Sequence, residues 1–483
     1  MSLSFFLDAG LSSALPSDAS KDFVKQAIEE KFNVELNVQY MAGGQDHVNK
    51  INTLIAANDA PDMWKDTSAD GGLKLATQNV LADLTPFVTE ASMPNYFKYW
   101  ITPQELKYFQ GIHPFMRAAV PYEKRAYRAY YIREDWLKNL GLEVPDTYEE
   151  YLQVLRAFRN NDPDGNGKKD TYGFTTTGDS GKQLGLDWPE YMKNGLVFAS
   201  RVEDNKFVDT QTDLRMEGVI NDIVKVNEED LVDPDWFLNK IGQQTEKAAQ
   251  GKAGVVLGTT MTFALDSNPT SLQSMTKQLF PEANWIAFNP LGDKPLQTML
   301  SPGNPFVFSK KTAENNPEKI KRTVQILDWL ASPEGFLLTH YGVEGKHYTR
   351  EGNTITLKPE AYQADIVDQG NFLDVWDFFT PNNPTVFGFE VIDPTMSDRD
   401  RQILASIAQI PTLPGYGMTL TAPEGFDLAS FRNKQKEWQV KLVFEDKSGS
   451  KWPEYREKLM TEYKGQLLFD TYESQLKQVG VIK

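Results

Sequence analysis

Nine residues, Asp162-Pro163-Asp164-Gly165-Asn166-Gly167-Lys168-Lys169-Asp170, set oxygen-bearing groups on alternate positions around a glycine-rich turn. Asp162, Asp164 and Asn166 hold loop positions one, three and five, Lys168 offers its backbone carbonyl, and Asp170 follows at position nine. A hard cation of calcium's size takes about six to eight oxygens in this register, and a glycine at position six permits the sharp turn. The chemistry written here is calcium coordination. Position twelve, where an EF-hand has a bidentate Glu, is Gly173, so further oxygens must come from Thr171, water or a carboxylate distant in sequence.

The elements that position this loop decide its use. Asp146 with Glu149 predicts a capped helix whose Leu152, Leu155 and Phe158 form one apolar face. After the loop, Thr171 to Thr177 reads as a short strand, whereas a calcium sensor needs a second helix to swing. The loop therefore reads as a structural ion site, with a regulatory site and an ion-free Asx-rich turn as the alternatives.

The whole chain has 483 residues, too many for one ordinary core, and two large lobes fit best. Its 40% apolar and 12% aromatic content can fill real cores. A formal net charge of −17 argues against nucleic acid and anionic lipid as partners. With no cysteine, disulfides, thiolate metal sites and a Cys nucleophile are excluded together. The longest apolar stretch, Ala253 to Leu265, is broken by glycines and threonines and falls short of a membrane span. The opening Met1 to Phe6 lacks a basic leader and reads as the start of a mature domain.

The first hundred or so residues alternate strand and helix signals: a strand at Leu3 to Asp8, a helix at Ser20 to Phe32, a strand at Val34 to Tyr40, and a helix carrying Val48, Ile51, Leu54 and Ile55. Such alternation implies a parallel sheet, with ligands beyond the carboxyl ends of its strands, near Gly43 to His47 and Asp62 to Asp66. Pro305 to Phe308 predicts another strand and Pro317 to Leu330 a helix. In the tail, Tyr455, Leu459, Tyr463, Leu467, Leu468, Tyr472 and Leu476 form an apolar stripe at helical spacing.

Catalytic signatures are weak. The four histidines, His47, His113, His340 and His347, lack the pairing of a zinc hydrolase, and His347 is expected to pack locally. Gly178-Asp179-Ser180-Gly181 has the look of a serine-protease tetrapeptide but sits in α/β surroundings, where chance explains it better. A glycoside hydrolase or lyase using two carboxylates stays open, since acidic pairs abound.

Tyr131 to Leu142 (Tyr-Ile-Arg-Glu-Asp-Trp-Leu-Lys-Asn-Leu-Gly-Leu), followed by Pro145 and the Asp162 to Asp170 loop, resembles the extracellular solute-binding proteins of carbohydrate ABC importers, specifically the lipoprotein branch with the alginate-binding proteins. Ala60-Pro61-Asp62, Leu81 to Leu84, Phe308 to Lys311, Asp328 to Leu330, Ser332 to Gly335 and Tyr341 to Tyr348 look like further landmarks in order. The resemblance implies a type II periplasmic-binding-protein-like α/β fold of two lobes, a hinge, a helical C-terminal region, an oligosaccharide in the cleft and no catalysis. It implies an N-terminal lobe of residues 1–122 and 303–365 and a C-terminal lobe of 123–302 and 366–483 with the calcium loop. Asp162, Asp164, Asn166, Lys168 and Asp170 become the ligands of a structural calcium ion, and Thr171 replaces a carboxylate found in relatives. A monomeric, extracytoplasmic lipoprotein delivering its cargo to ABC permease subunits is implied; a non-transport carbohydrate sensor shares the same motifs.

Sugar rings stack on aromatics while their hydroxyls seek planar polar groups. Trp136 and Trp329 lie on helix faces and are expected in the core. Trp64, Trp188 and Trp376 lie in polar or proline-marked surroundings and are candidates for the cleft wall, with packing as the alternative. Asp66, Thr259 and Thr260 at strand ends, Asn304 at the return crossover, and Arg128, where alginate-binding relatives also have Arg, complete the candidate set. Clasping by Trp64 and Trp376 with a neutral or weakly acidic sugar is the expectation, unless the basic run from Arg117 to Arg133 faces the cleft.

Overall fold

The computed structural model describes residues 1–10, 13–68, 71–111, 116–197, 200–298, 304–415 and 420–483, so His113, Pro302 and Gly303 lie outside the described residues. It has two α/β lobes, each built on its own sheet. In the first sheet the order is Glu35–Met41, Ser2–Asp8, Met63–Lys65, Pro305–Phe308, Ala118–Ala119. The first three strands are parallel, and Pro305–Phe308 runs antiparallel to its neighbours. Strand alternation divides the side chains cleanly. Leu3, Phe5 and Leu7 enter one core with Val24, Ile28 and Ile320. Phe6 points the other way, onto Ile51, Trp64 and Val307.

The second sheet runs Trp285–Phe288, Ala129–Arg133, Ala253–Gly258, Tyr172–Phe174. Gly254 lets the adjoining helices lie close to it: a Cβ there would stand 2.2 Å from Phe158 Cδ2 and 2.8 Å from Trp136 Cε3. The helix Tyr148–Asn160 that carries Phe158 begins one residue later than the sequence signal suggests, because Thr147, with Glu150, forms the capping box in place of Asp146 with Glu149. Thr147 Oγ1 accepts from the Glu150 N–H at 3.2 Å, and Glu150 Oε2 returns to the Thr147 N–H at 3.1 Å.

The lobe boundary expected after residue 365 moves downstream. Ile366, Phe372, Leu373, Val375, Trp376, Phe378, Phe379 and Phe389 all pack into the first lobe's core, and Glu390–Ile392 pairs with Thr354–Leu357. The chain has crossed to the second lobe by Asp398–Ala408, whose Ile403 and Ile407 pack with Tyr131 and Val256. The tail helices Leu428–Phe444, Trp452–Thr461 and Gly465–Val479 cover the second lobe through Phe431, Leu442, Trp452, Leu459 and Leu468. The tail stripe is interrupted at Lys464, whose φ of 59° separates two helices. Leu467 consequently faces solvent, 51% exposed. Among the described residues no helix is long and apolar enough to cross a membrane.

Candidate functional site

The chain crosses between the two sheets at strand ends. Strands Ser2–Asp8, Glu35–Met41, Met63–Lys65 and Ala118–Ala119 all end at one edge of the first sheet, and from Ala119 a short segment leads to Arg128, at the edge of the second. At that second edge Ala129 lies opposite Gly258, so Arg128 and Thr259 are neighbours by register. The return runs from Thr298 to Asn304, whose carbonyl accepts from the Val120 N–H at 3.2 Å. Asp66 is tied to the same corner through its N–H, which donates to the Pro305 carbonyl at 2.9 Å. Five of the candidates, Asp66, Asn304, Arg128, Thr259 and Thr260, thus lie at the strand ends where the chain crosses between the sheets.

Their environments differ. Thr259 and Thr260 are exposed and Asn304 half-buried. Asp66 is only 4% exposed; its Oδ1 accepts from the Ser68 N–H at 2.9 Å and from the Ser68 hydroxyl, and its Oδ2 from Trp64 Nε1 at 3.4 Å. Its carboxylate shapes the loop that follows, an Asx turn. Arg128 is half-buried with its guanidinium 5.7 Å from the Tyr127 ring centre. Beside it lies Asp187, whose carboxyl burial pushes up while Arg128 draws it down. A carboxylate and a guanidinium at a sheet edge offer the planar polar contacts that sugar hydroxyls accept.

The three candidate tryptophans are buried in cores, although Trp64 touches Asp66 and Trp188 lines the same small cavity as Arg128. Trp64, 0% exposed, sits among Phe6, Ile51, Leu75 and Val307, because strand alternation turns it onto the same sheet face as Phe6. Trp188, 1% exposed, meets Trp236 edge-on at 4.9 Å and Phe174 at 5.4 Å. Trp376, also 1% exposed, donates from Nε1 to Asp22 Oδ2 at 3.2 Å. None presents a ring face for stacking, so the aromatic clasp by Trp64 and Trp376 is replaced by a polar edge.

The basic run does not line the cleft either. Arg117 is buried, donating to the carbonyls of Gly71 and Phe109. Lys124 pairs with Glu105 at 2.7 Å and Arg125 with Glu123 at 2.8 Å. Arg133 is buried against the Trp136, Phe280 and Trp285 rings. Only Arg128 of this run stands at the edge described above.

Acidic groups that the sequence reading passed over gather at the first sheet's edge. Asp8 ends the first strand and pairs with Lys65 at 3.1 Å; Lys65 also donates to the Phe378 carbonyl at 3.2 Å. Asp374 accepts from the Gly10 N–H at 2.9 Å. Burial, with help from nearby Asp374, pushes the Asp377 carboxyl up to about 7. The signal available in sequence was position alone, since Asp8 and Lys65 are the last residues of parallel strands. His47, 1% exposed, packs edge-on to Phe6 and shares a hydrogen bond with Thr67 Oγ1 at 3.1 Å. Burial holds its pKa below the usual imidazole range.

The oxygen-rich loop lies on the second lobe between the helix Tyr148–Asn160 and the strand Tyr172–Phe174. Asp162 accepts from the N–H groups of Asn166 at 3.0 Å and Gly167 at 2.9 Å, and Gly167 takes the left-handed conformation at φ 75°. Asn166 Nδ2 donates to Asp164 at 2.9 Å and Asp170 at 3.2 Å. Burial raises the Asp164 carboxyl, and Asp162 and Asp170 push it further, so the carboxylates already feel one another. Among the described residues no cluster of three His, Asp or Glu side chains stands preassembled around a metal. Thr171 is directed away: its hydroxyl donates to the Phe158 carbonyl at 2.7 Å.

The model of the family "Bacterial extracellular solute-binding protein" matches residues 11–335. Lipoprotein LipO of Bacillus subtilis (strain 168) is 25% identical over 357 residues, 72% of this chain and 67% of LipO. An HMO-binding, ABC-transporter-associated solute-binding protein from Bifidobacterium longum infantis shares the fold at TM-score 0.73 and 16% identity, over 100% of this chain and 99% of that one. The S. pneumoniae substrate-binding protein FusA in complex with kestose does so at TM-score 0.65 and 17% identity, over 100% of both chains. With two α/β lobes and a family match across most of its length, the chain belongs to the bacterial extracellular solute-binding proteins.

Proposed function

We propose that this protein is the extracytoplasmic binding subunit of an ABC importer and holds an oligosaccharide between its lobes without transforming it. The observation that carries this reading is the placement of Asp66, Asn304, Arg128, Thr259 and Thr260 at the strand ends where the chain crosses between the two sheets, with Asp187 beside Arg128. Such an edge supplies directional polar contacts, and closing the lobes would remove the sugar from water. The acidic first-lobe edge, with Asp8, Asp374 and Asp377, and the single arginine opposite favour a neutral sugar over a polyanion. Kinship with LipO and FusA supports a lipid-anchored partner of permease subunits.

The test is titration with a panel of neutral oligosaccharides, kestose among them, and uronate oligosaccharides, at about 0.1 M and 1 M salt. Saturable, salt-insensitive binding of a neutral sugar, weakened by Arg128→Ala and by Thr259→Ala, is expected. Product release at enzymatic turnover would establish a carbohydrate-active enzyme instead. Binding carried only by uronates and lost at high salt would reverse the charge preference.

The loop residues fit a calcium ion, since all their donors are oxygens and Asp162, Asp164, Asn166, Asp170 and the Lys168 carbonyl are the groups that would hold it. Bound there, the ion would neutralise carboxylates that otherwise repel and fix the turn between helix and strand. A ligand at about one hundred times its dissociation constant stabilises the folded state by about 2.7 kcal/mol. Chelation is therefore expected to lower the melting temperature by about 3–5 °C. The double replacement Asp162→Ala and Asp164→Ala should erase that response; a chelator effect that survives it would put the ion elsewhere.

A further inference from the structure

A pocket of about 410 Å³ opens in the second lobe between the helix Pro189–Lys193, the strand Arg201–Glu203, Lys294-Pro295 and the strand Thr412–Leu413. Its wall is apolar over most of its extent, with Met192, Val202, Pro295 and Leu413 contributing. Three cations, Lys193, Arg201 and Lys294, and the carboxylate of Glu203 break that wall. Arg201 is 8% exposed; its Nη2 donates to the Gly195 carbonyl at 2.9 Å and to Glu203 at 2.7 Å. Its Nη1 is buried with no hydrogen-bond partner among the described residues. Lys294 is exposed and has no ion-pair partner among the described residues.

The carboxylates nearby are already engaged. Glu203 also accepts from Arg215 at 2.9 Å, and Asp222 holds Lys193 at 2.5 Å. A buried guanidinium N–H without an acceptor carries a desolvation cost that an oxygen of the right charge would relieve. In a chain of net charge −17, a concavity lined by three cations and one carboxylate, with Lys294 outside any ion pair among the described residues, is a local exception. Its volume lies in the range of small-molecule sites, and its apolar wall suits a carbon skeleton better than a hydroxyl-covered sugar.

We propose that this pocket binds a small monocarboxylic acid with an apolar body, an aryl or short acyl acid, its carboxylate set between Lys294 and Arg201 and its carbon skeleton against Met192 and Leu413. Met192 also lines the small cavity at Arg128, so the two sites are neighbours, but this assignment does not rest on the oligosaccharide reading. Met192 provides the readout. In protein labelled with ¹³C at the methionine methyl groups, with the Met192 signal assigned through Met192→Leu, sodium benzoate should shift that signal saturably, with a dissociation constant on the order of 1 mM. Benzyl alcohol, which lacks the charge, and acetate, which lacks the body, should bind at least about tenfold more weakly. Lys294→Gln, at an exposed position, should weaken benzoate about fivefold, and Leu413→Trp should block it by filling the pocket. An unmoved Met192 signal at about 20 mM benzoate, an equal response to benzyl alcohol or acetate, or unchanged benzoate binding in Lys294→Gln would each overturn the assignment.

Discussion

Trp376→Ala is expected to destabilise the first lobe by about 3–5 kcal/mol, the usual cost of truncating a fully buried large aromatic. Trp376 is 1% exposed in the first lobe's core, and its indole N–H is one of few donors to Asp22, itself 2% exposed. The other Asp22 oxygen accepts from the Lys25 N–H at 3.0 Å, capping the helix Phe23–Phe32. Removing the indole therefore opens a cavity and strips a buried carboxylate of a partner at once. Denaturant unfolding followed by circular dichroism gives the number. A loss below about 1 kcal/mol together with a collapse of oligosaccharide affinity would mean that Trp376 faces ligand after all.

Glu190 governs the second large effect, which is one of pH. Its side chain is 1% exposed; Oε1 accepts from the Tyr148 hydroxyl at 2.8 Å, and Oε2 is buried without a partner among the described residues. Burial pushes its carboxyl up to about 7, from an ordinary value of 4.5; Asp222 adds to the rise, while Tyr148 and Lys193 oppose it. A raised acid pKa means that the folded state holds the proton after the unfolded chain has released it. Stability contributed by that proton is complete below the unfolded value and is lost as pH rises toward the folded one. Between about pH 4.5 and 7 the loss amounts to about 3 kcal/mol, at 1.36 kcal/mol per pKa unit. Glu190→Gln keeps the acceptor for Tyr148 and carries no proton to lose. Its stability should fall less across this window than that of the parent, by about that amount. Asp377, raised to about 7 by burial and Asp374, is present in both proteins and cancels in the difference. Parallel stability profiles for the two proteins would remove Glu190 as the cause.

Local chemistry was readable from the chain where one residue type and its spacing suffice. The loop from Asp162 to Asp170, the alternation of Leu3, Phe5 and Leu7, and the helix Pro317–Leu330 needed only near neighbours in sequence, and the structure draws them with those bounds or close to them. Strand-end logic likewise brought Asp66, Thr259 and Thr260 to the sheet edges, because a strand must end where its apolar run ends. The direction of a side chain at such an end was not readable. Met63, Trp64 and Lys65 are consecutive, and which of them enters a core depends on the register with Ser2–Asp8 and Pro305–Phe308, strands near and far along the chain. The lobe boundary failed for a similar reason. The family resemblance puts residues 366 to 389 in the second lobe, yet Phe372, Trp376, Phe379 and Phe389 are claimed by a core whose other half lies more than two hundred residues earlier. The basic run from Arg117 to Arg133 was a stretch in sequence and is no stretch in space, since a two-residue strand and a hinge send its members to different partners. Sequence determined the loop chemistry, the periodicities and the strand ends, which are properties of neighbouring residues. Tertiary structure decided which aromatics are core and which polar groups share the cleft, because those depend on long-range pairing that residue order does not contain.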